Sequence, residues 1–403
     1  MNALQFPREM ANQGLVECLL IADDLTGACD AAVQFTARGR SVAVALEWGA
    51  GAPNPGVYPG VYLEVYPEVL AVSTESRGLS VEDSRRAIMD MALRLADTKA
   101  RILFKKIDST LRGNAGAEIA ATVSAFGCDA AVITPAFPAM KRIVADGWLR
   151  VADRVADRVD APAEFEPVEI GAYFQAQGLA SHRHVRAGGV AIAIGGGIRS
   201  VSVDAVCDAD LDAVVETMME LKIRILWAGS AGLAAALARS ISAGREKVAR
   251  PANRVGPVLF CIGSTHPATL AQQRRLLAER PVCALSAEAA APAEIADALR
   301  DGRSVMLEIP RGRIPEQRIA ELLRGAGEVV GALALSGGDT ASHVCRALRA
   351  QAIELHDEVE AGTPRGTLRG GVFDGAAVAT KSGAFGDSGA LIAITDFFTC
   401  PKP

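Results

Sequence analysis

The sequence predicts an α/β fold of two domains, each a mainly parallel sheet flanked by helices, with a cleft between them. Three features predict it: short apolar runs that end in Gly/Ser/Thr/Asp-rich turns, helical patterns that follow those turns, and one polar interruption late in the chain. Residues 16–22 run into Asp23-Asp24-Leu25-Thr26-Gly27 and a helix over 28–38. Residues 102–107 run into Asp108-Ser109-Thr110-Leu111-Arg112-Gly113-Asn114, with Asn114 placed to cap a helix over 115–126. Residues 130–133 lead to Thr134-Pro135-Ala136-Phe137-Pro138, and 223–227 to Ala228-Gly229-Ser230-Ala231-Gly232. The polar segment 242–257 follows and is read as the boundary, giving domains 1–245 and 246–403. Beyond it, 258–262 lead to Gly263-Ser264-Thr265-His266-Pro267, and 332–335 to Ser336-Gly337-Gly338-Asp339-Thr340, each before a helix. A less regular stretch over 361–366 precedes residues 378–386. No internal repeat stands out, and a Gly/Pro loop over 49–60 is the low-complexity patch.

With 403 residues, half of them hydrophobic, the chain can bury the cores that two domains need. Lys plus Arg total 42 against 47 Asp plus Glu, a net charge of -5 that disfavours a nucleic-acid partner. The eight cysteines are scattered without a CxxC pair or a zinc-site spacing, which fits thiols in a reducing compartment and indicates neither a disulfide framework nor a structural metal. Residues 1–14 lack an apolar targeting core, and no window approaches the ~18–20 apolar residues of a membrane span. A cytoplasmic protein with no membrane partner is expected.

In open parallel sheets ligands collect at the carboxyl ends of the strands. In the N-terminal half the polar residues there are Asp23, Asp24, Arg77, Lys105, Lys106, Asp108, Ser109 and Arg112. The carboxylates could supply a general base, a magnesium ligand or hydroxyl acceptors, and Arg77 and Arg112 could grip a carboxylate through paired N–H donors. That mixture suits a small polyhydroxy anion. The competing reading makes Asp23 or Asp24 a helix cap and buries one of Lys105 and Lys106 against a carboxylate. In the C-terminal half, Gly263-Ser264, Ser336-Gly337-Gly338-Asp339-Thr340 and Lys381-Ser382-Gly383 offer strand-end turns where backbone N–H groups can approach a phosphate, with Lys381 a possible cation. No GxxxxGK[ST] and no GxGxxG after the first strand occur, so a Walker site and a dinucleotide fingerprint are both absent. Ala228-Gly229-Ser230-Ala231-Gly232 lacks nucleophile-elbow spacing, and His182 and His184 are expected to be solvated in a polar loop.

Ile21-Ala22-Asp23-Asp24-Leu25-Thr26-Gly27-Ala28, Lys105-Lys106-Ile107-Asp108-Ser109-Thr110-Leu111-Arg112-Gly113-Asn114, Pro135-Ala136-Phe137-Pro138, Gly229-Ser230-Ala231-Gly232-Leu233, Ser336-Gly337-Gly338-Asp339-Thr340 and Lys381-Ser382-Gly383-Ala384-Phe385-Gly386 resemble the motifs of the four-carbon acid sugar kinases, in that family's order and across nearly the whole chain. The resemblance implies an N-terminal sugar-acid domain, a C-terminal ATP domain, and ATP- and Mg²⁺-dependent phosphorylation of the terminal hydroxyl of threonate, erythronate or a 3-oxo-tetronate. Carried over by position, it puts Asp23, Asp24 and Asp108 in the substrate region, where they are expected to be catalytic: Asp24 or Asp23 would accept the hydroxyl proton, and Asp108 would orient hydroxyls or bind magnesium. It places Arg77, Lys106, Ser109 and Arg112 on the acid, and Ser264, Ser336, Gly337, Gly338, Asp339, Gly362 and Gly383 on ATP. Ala384 departs from the family's usual Asn, and Met140-Lys141 and Thr363-Pro364-Arg365 are variants of its loops. Two rivals remain, a nicotinamide-dependent oxidoreductase on the same acids and a non-catalytic sugar-acid sensor. No metal ligand is assigned, and a homo-oligomer is left open.

Overall fold

The computed structural model describes residues 15–46, 67–96, 98–151, 165–241 and 255–400. The expected linker over 242–257 and the loop over 49–60 lie outside these residues wholly or in large part. In chain order the strands of the first half are β1 (Leu15–Ala22), β2 (Val42–Ala45), β3 (Val69–Ser73), β4 (Lys99–Lys106), β5 (Ala130–Thr134), β6 (Arg142–Ala145), β7 (Trp148–Val151), β8 (Val168–Glu169), β9 (Arg183–Val185), β10 (Ser200–Val203) and β11 (Ile225–Gly229). The second half adds β12 (Val258–Ile262), β13 (Val282–Ser286), β14 (Ser304–Glu308), β15 (Ala332–Ser336), β16 (Ala352–Glu358), β17 (Pro364–Arg369) and β18 (Ala377–Lys381). The chain forms two compact units, and β2 belongs to the second although it lies early in the sequence.

The strands of the first unit run β3-β1-β4-β11-β5-β10-β9, every neighbouring pair parallel. Parallel strands are covered on both faces, which is why β1 reads as an almost unbroken apolar run and buries Val16, Cys18, Leu19, Leu20 and Ile21. Helices Val81–Arg94 and Ala115–Phe126 pack together, and helices Leu25–Ala32 and Asp208–Met219 each pack on helix Ala231–Ser240. β3 pairs on one side of β1 and β4 on the other, so the carboxyl ends of β3, β1 and β4 flank a topological switch point, where such sheets bind ligands. The helix expected over 28–38 is an α-helix, Leu25–Ala32, continued by the 3₁₀ turn Val33–Arg38. A separate antiparallel sheet, β6-β7-β8, had no counterpart in the expectation.

The second unit runs β13-β14-β12-β15-β18 in parallel, then β17, β16 and β2 antiparallel. Alternate residues of β12, Val258, Phe260 and Ile262, pack with Leu276 of helix Pro267–Glu279 and with Leu391, Ile394 and Phe398 of helix Ala390–Thr399. Here the switch point lies between β12 and β15, whose ends carry Ser264 and Gly337. All eight cysteines are free thiols, and among the described residues no helix is long and apolar enough to cross a membrane.

Two local expectations are corrected. Asn114 does not cap the helix after it, because its backbone leaves the extended cap conformation at φ -107° and ψ 46°. Its Nδ2 donates instead to Leu79 O at 2.9 Å and Ser84 Oγ at 2.7 Å. His182 and His184 are not solvated loop residues. His184 lies in the short edge strand β9 and His182 directly before it, His182 hydrogen-bonding Ser200 and Ser202 and His184 bonding Ser202 and Asp204. Burial, helped by the neighbouring His184, pushes the His182 pKa down to about 4, so the ring is neutral in its polar chain.

Candidate active site

At the switch point of the first unit the structure brings Asp23, Asp24, Arg77, Lys106, Asp108, Ser109 and Arg112 to the ends of β1, β3 and β4. Arg77 is the hub. Its Nε and one terminal nitrogen donate to the two oxygens of Asp23 at 2.8 and 2.7 Å, and its other terminal nitrogen bonds Asp24 and lies 3.8 Å from Asp108. Asp24 also caps helix Leu25–Ala32, accepting from Gly27 N at 2.8 Å through Oδ1 and from Thr26 Oγ1 at 3.1 Å through Oδ2. The helix cap and the carboxylate–arginine cluster therefore share one residue.

Asp108 organises the loop that follows β4. It accepts from Thr110 N at 2.9 Å, and Leu111 (φ 62°) and Gly113 (φ 83°) turn the chain so that Arg112 folds back to donate to Asp108 through Nε at 3.1 Å and through a terminal nitrogen. A non-glycine residue at such φ persists where its surroundings hold it. Tyr173 does so by donating to Leu111 O at 2.8 Å, and Gln177 braces Tyr173 at 2.9 Å; neither was visible in the sequence, since both arrive from a distant helix. Burial alone would raise the Asp108 pKa, but Arg77 and Arg112 hold it well below the usual carboxylate range. Burial likewise opposes Arg77 at Asp23, and Arg77 with Lys105 and Lys106 prevails, so Asp23 also stays ionised. Arg112 is half exposed, whereas Arg77 is mostly enclosed.

The two lysines divide as strand alternation requires. Lys105 is fully buried, 2.8 Å from Glu118, whose other oxygen accepts from Ser76 at 2.7 Å, while Lys106 Nζ donates to Ile107 O at 3.0 Å. Removing one partner of such a buried pair strands the other charge. Lys105→Met is therefore expected to lower the unfolding free energy by about 3–5 kcal/mol in urea titrations, with Lys105→Met/Glu118→Gln regaining part of the loss.

In the second unit Ser264, Gly337 and Gly383 converge. Gly337 sits at φ 101°, a conformation that L side chains rarely adopt, directly before helix Gly338–Ala347. A Cβ on Gly383 would stand 2.1 Å from Ser264 Oγ, so only glycine lets this loop lie against Ser264. Ser336 Oγ is buried with no hydrogen-bond partner among the described residues. An unsatisfied hydroxyl beside a glycine-lined helix start suits the phosphates of a nucleotide. Three residues expected near the nucleotide hold partners within the protein. Asp339 is largely exposed and paired with Arg311 at 2.5 Å, the Gly362 N–H is taken by Glu358 at 2.8 Å, and Lys381 is buried with its ammonium on the carbonyls of Ser382 and Phe385. Burial, partly offset by Glu360, pushes the Lys381 pKa down to about 7. Among the described residues no group of three or more His, Cys, Asp or Glu could hold a metal ion.

A family model described as a sugar-binding N-terminal domain matches residues 18–237, and one described as a nucleotide-binding C-terminal domain matches residues 297–391. The chain is 36% identical to a D-threonate kinase of Bordetella bronchiseptica, over 93% of this chain and 95% of that protein. It is 27% identical to a D-erythronate kinase of Heliobacterium modesticaldum, over 94% and 96% of the two chains. A crystal structure of a Haemophilus influenzae protein shares the fold with a TM-score of 0.66 at 21% identity, covering 94% of this chain and 98% of that one.

Proposed function

Because the chain belongs to the four-carbon acid sugar kinase family, we propose that it is an ATP-dependent kinase acting on the terminal hydroxyl of threonate, erythronate or a 3-oxo-tetronate. The observation that carries the reading is that one chain holds both halves of such a reaction: a cluster of three carboxylates and two arginines in its sugar-binding unit, and a glycine-lined anion cradle in its nucleotide-binding unit. A reducing, cytoplasmic setting fits the eight free thiols.

In the proposed reaction the substrate's terminal oxygen attacks the γ-phosphorus, the bond from that phosphorus to the β,γ-bridging oxygen breaks, and ADP leaves with the electron pair. The protein's task is mainly positioning and charge neutralisation. Asp24 accepts the hydroxyl proton: Arg77 bonds its Oδ2 and leaves Oδ1 with the Gly27 N–H alone, whereas both oxygens of Asp23 lie in the fork of Arg77 and both oxygens of Asp108 are held by Arg112 and Thr110. Arg112, half exposed, turns from Asp108 to the substrate carboxylate, while Arg77 holds the carboxylates in register. Lys106 and Ser109 line the same strand end. Mg²⁺ bound to the nucleotide phosphates would neutralise their charge. It would arrive with the nucleotide, as Mg²⁺ commonly does.

A coupled ADP-release assay over D- and L-threonate, D- and L-erythronate and 3-oxo-tetronates tests the reading. The expected result is ADP production that requires one of these acids. Binding of an acid without ADP release would favour a sensor, and nicotinamide-dependent turnover would favour an oxidoreductase.

A further inference from the structure

We propose that Thr269, Gln272 and Lys381 are positioning residues that orient the peptide groups of the loop over 382–387, drawing its carbonyls inward so that amide groups face outward. The proposal rests on the reading that the second unit binds ATP, and concerns how that site is built. Lys381 Nζ donates to Ser382 O at 2.9 Å and Phe385 O at 3.1 Å, and Thr269 Oγ1 donates to Gly383 O at 2.7 Å. Gln272 Nε2 donates to Phe385 O, Gly386 O and Asp387 O at 2.9, 3.2 and 2.8 Å. Three carbonyls around one nitrogen fix which end of the Gln272 amide faces the loop. All three donors are buried, so these bonds face inward, away from solvent.

The consequence follows from peptide geometry. In a trans peptide the N–H points opposite to the C=O of the same unit, and the described chain contains no cis bond. Holding Ser382 O inward turns the Gly383 N–H outward, and holding Gly383 O inward does the same for the Ala384 N–H. Neither N–H has an acceptor among the described residues. Successive outward amides form a concave anion site, and Gly383 is also the residue whose missing Cβ lets the loop close on Ser264. None of the three side chains need touch the nucleotide. They decide which pole of the loop it meets.

The test is ATP binding by calorimetry to the full-length protein, with D-threonate binding and the melting temperature measured on the same samples. Gln272→Met removes the donor at similar volume, and Lys381→Met and Thr269→Val remove the other two; should one variant fail to fold, the remaining two decide. Each folded variant is expected to weaken ATP by about tenfold or more, roughly the worth of one lost charge-orienting contact, while D-threonate affinity stays within about twofold. A folded set that binds ATP like the wild type, or that loses ATP and D-threonate together, overturns the proposal. A wild-type protein that binds no ATP overturns it along with the kinase reading, and is distinguished because no variant is needed to see it.

Discussion

Asp24→Asn is expected to lower kcat for sugar-acid phosphorylation by roughly 10²–10⁴-fold, the usual worth of a positioned general base, while ATP affinity is retained. Asn is as good a helix cap as Asp, so the bond from Gly27 N survives and helix Leu25–Ala32 keeps its start. What is lost is the anionic acceptor. Asp24 Oδ1 carries a single bond from Gly27 N, which leaves it room for a substrate hydroxyl, whereas both oxygens of Asp23 are held in the fork of Arg77. Steady-state kinetics with saturating ATP and calorimetric ATP titration check the split; near-normal kcat would remove Asp24 from the mechanism.

Gly383→Ala is expected to act on the other substrate. The new methyl carbon would stand 2.1 Å from Ser264 Oγ and 2.9 Å from Ser264 Cβ, so either the loop or Ser264 must move. Overpacking of this kind costs about 1–3 kcal/mol. If the cost falls on nucleotide binding, Kd for ATP rises roughly 5- to 150-fold. D-threonate binding and the thermal stability of the unliganded protein serve as controls. Equal loss of both ligands would show that the substitution acts on the fold and not on the nucleotide loop.

Much of the fold was legible because parallel strands buried on both faces leave continuous apolar runs, and β1, β4, β12 and β15 each end in a turn that the sequence marks with Asp, Gly or Ser. The same regularity marked the candidate site, since Asp23, Asp24, Asp108, Gly337 and Gly383 all lie just beyond strand ends. What depends on distant partners was not legible. The pairing of β2 with β16 joins residues far apart in the chain, and local pattern cannot indicate it. Alternation along β4 put Lys105 and Lys106 on opposite faces, yet only the arrival of Glu118 decides which is buried as an ion pair. Lys381 read as a cation facing a nucleotide, but the loop after it curls back and offers its own carbonyls to the ammonium. Asn114 had the composition of a cap without the backbone angles of one.

The most direct measurement is the ³¹P spectrum of the product formed from ATP and the acid that supports ADP release, recorded with and without proton decoupling. The account predicts a phosphomonoester signal split into a triplet by the two protons of a terminal CH₂ group, growing in step with ADP. Inorganic phosphate alone, a doublet from a secondary carbon, or unchanged ATP with every four-carbon acid would contradict it.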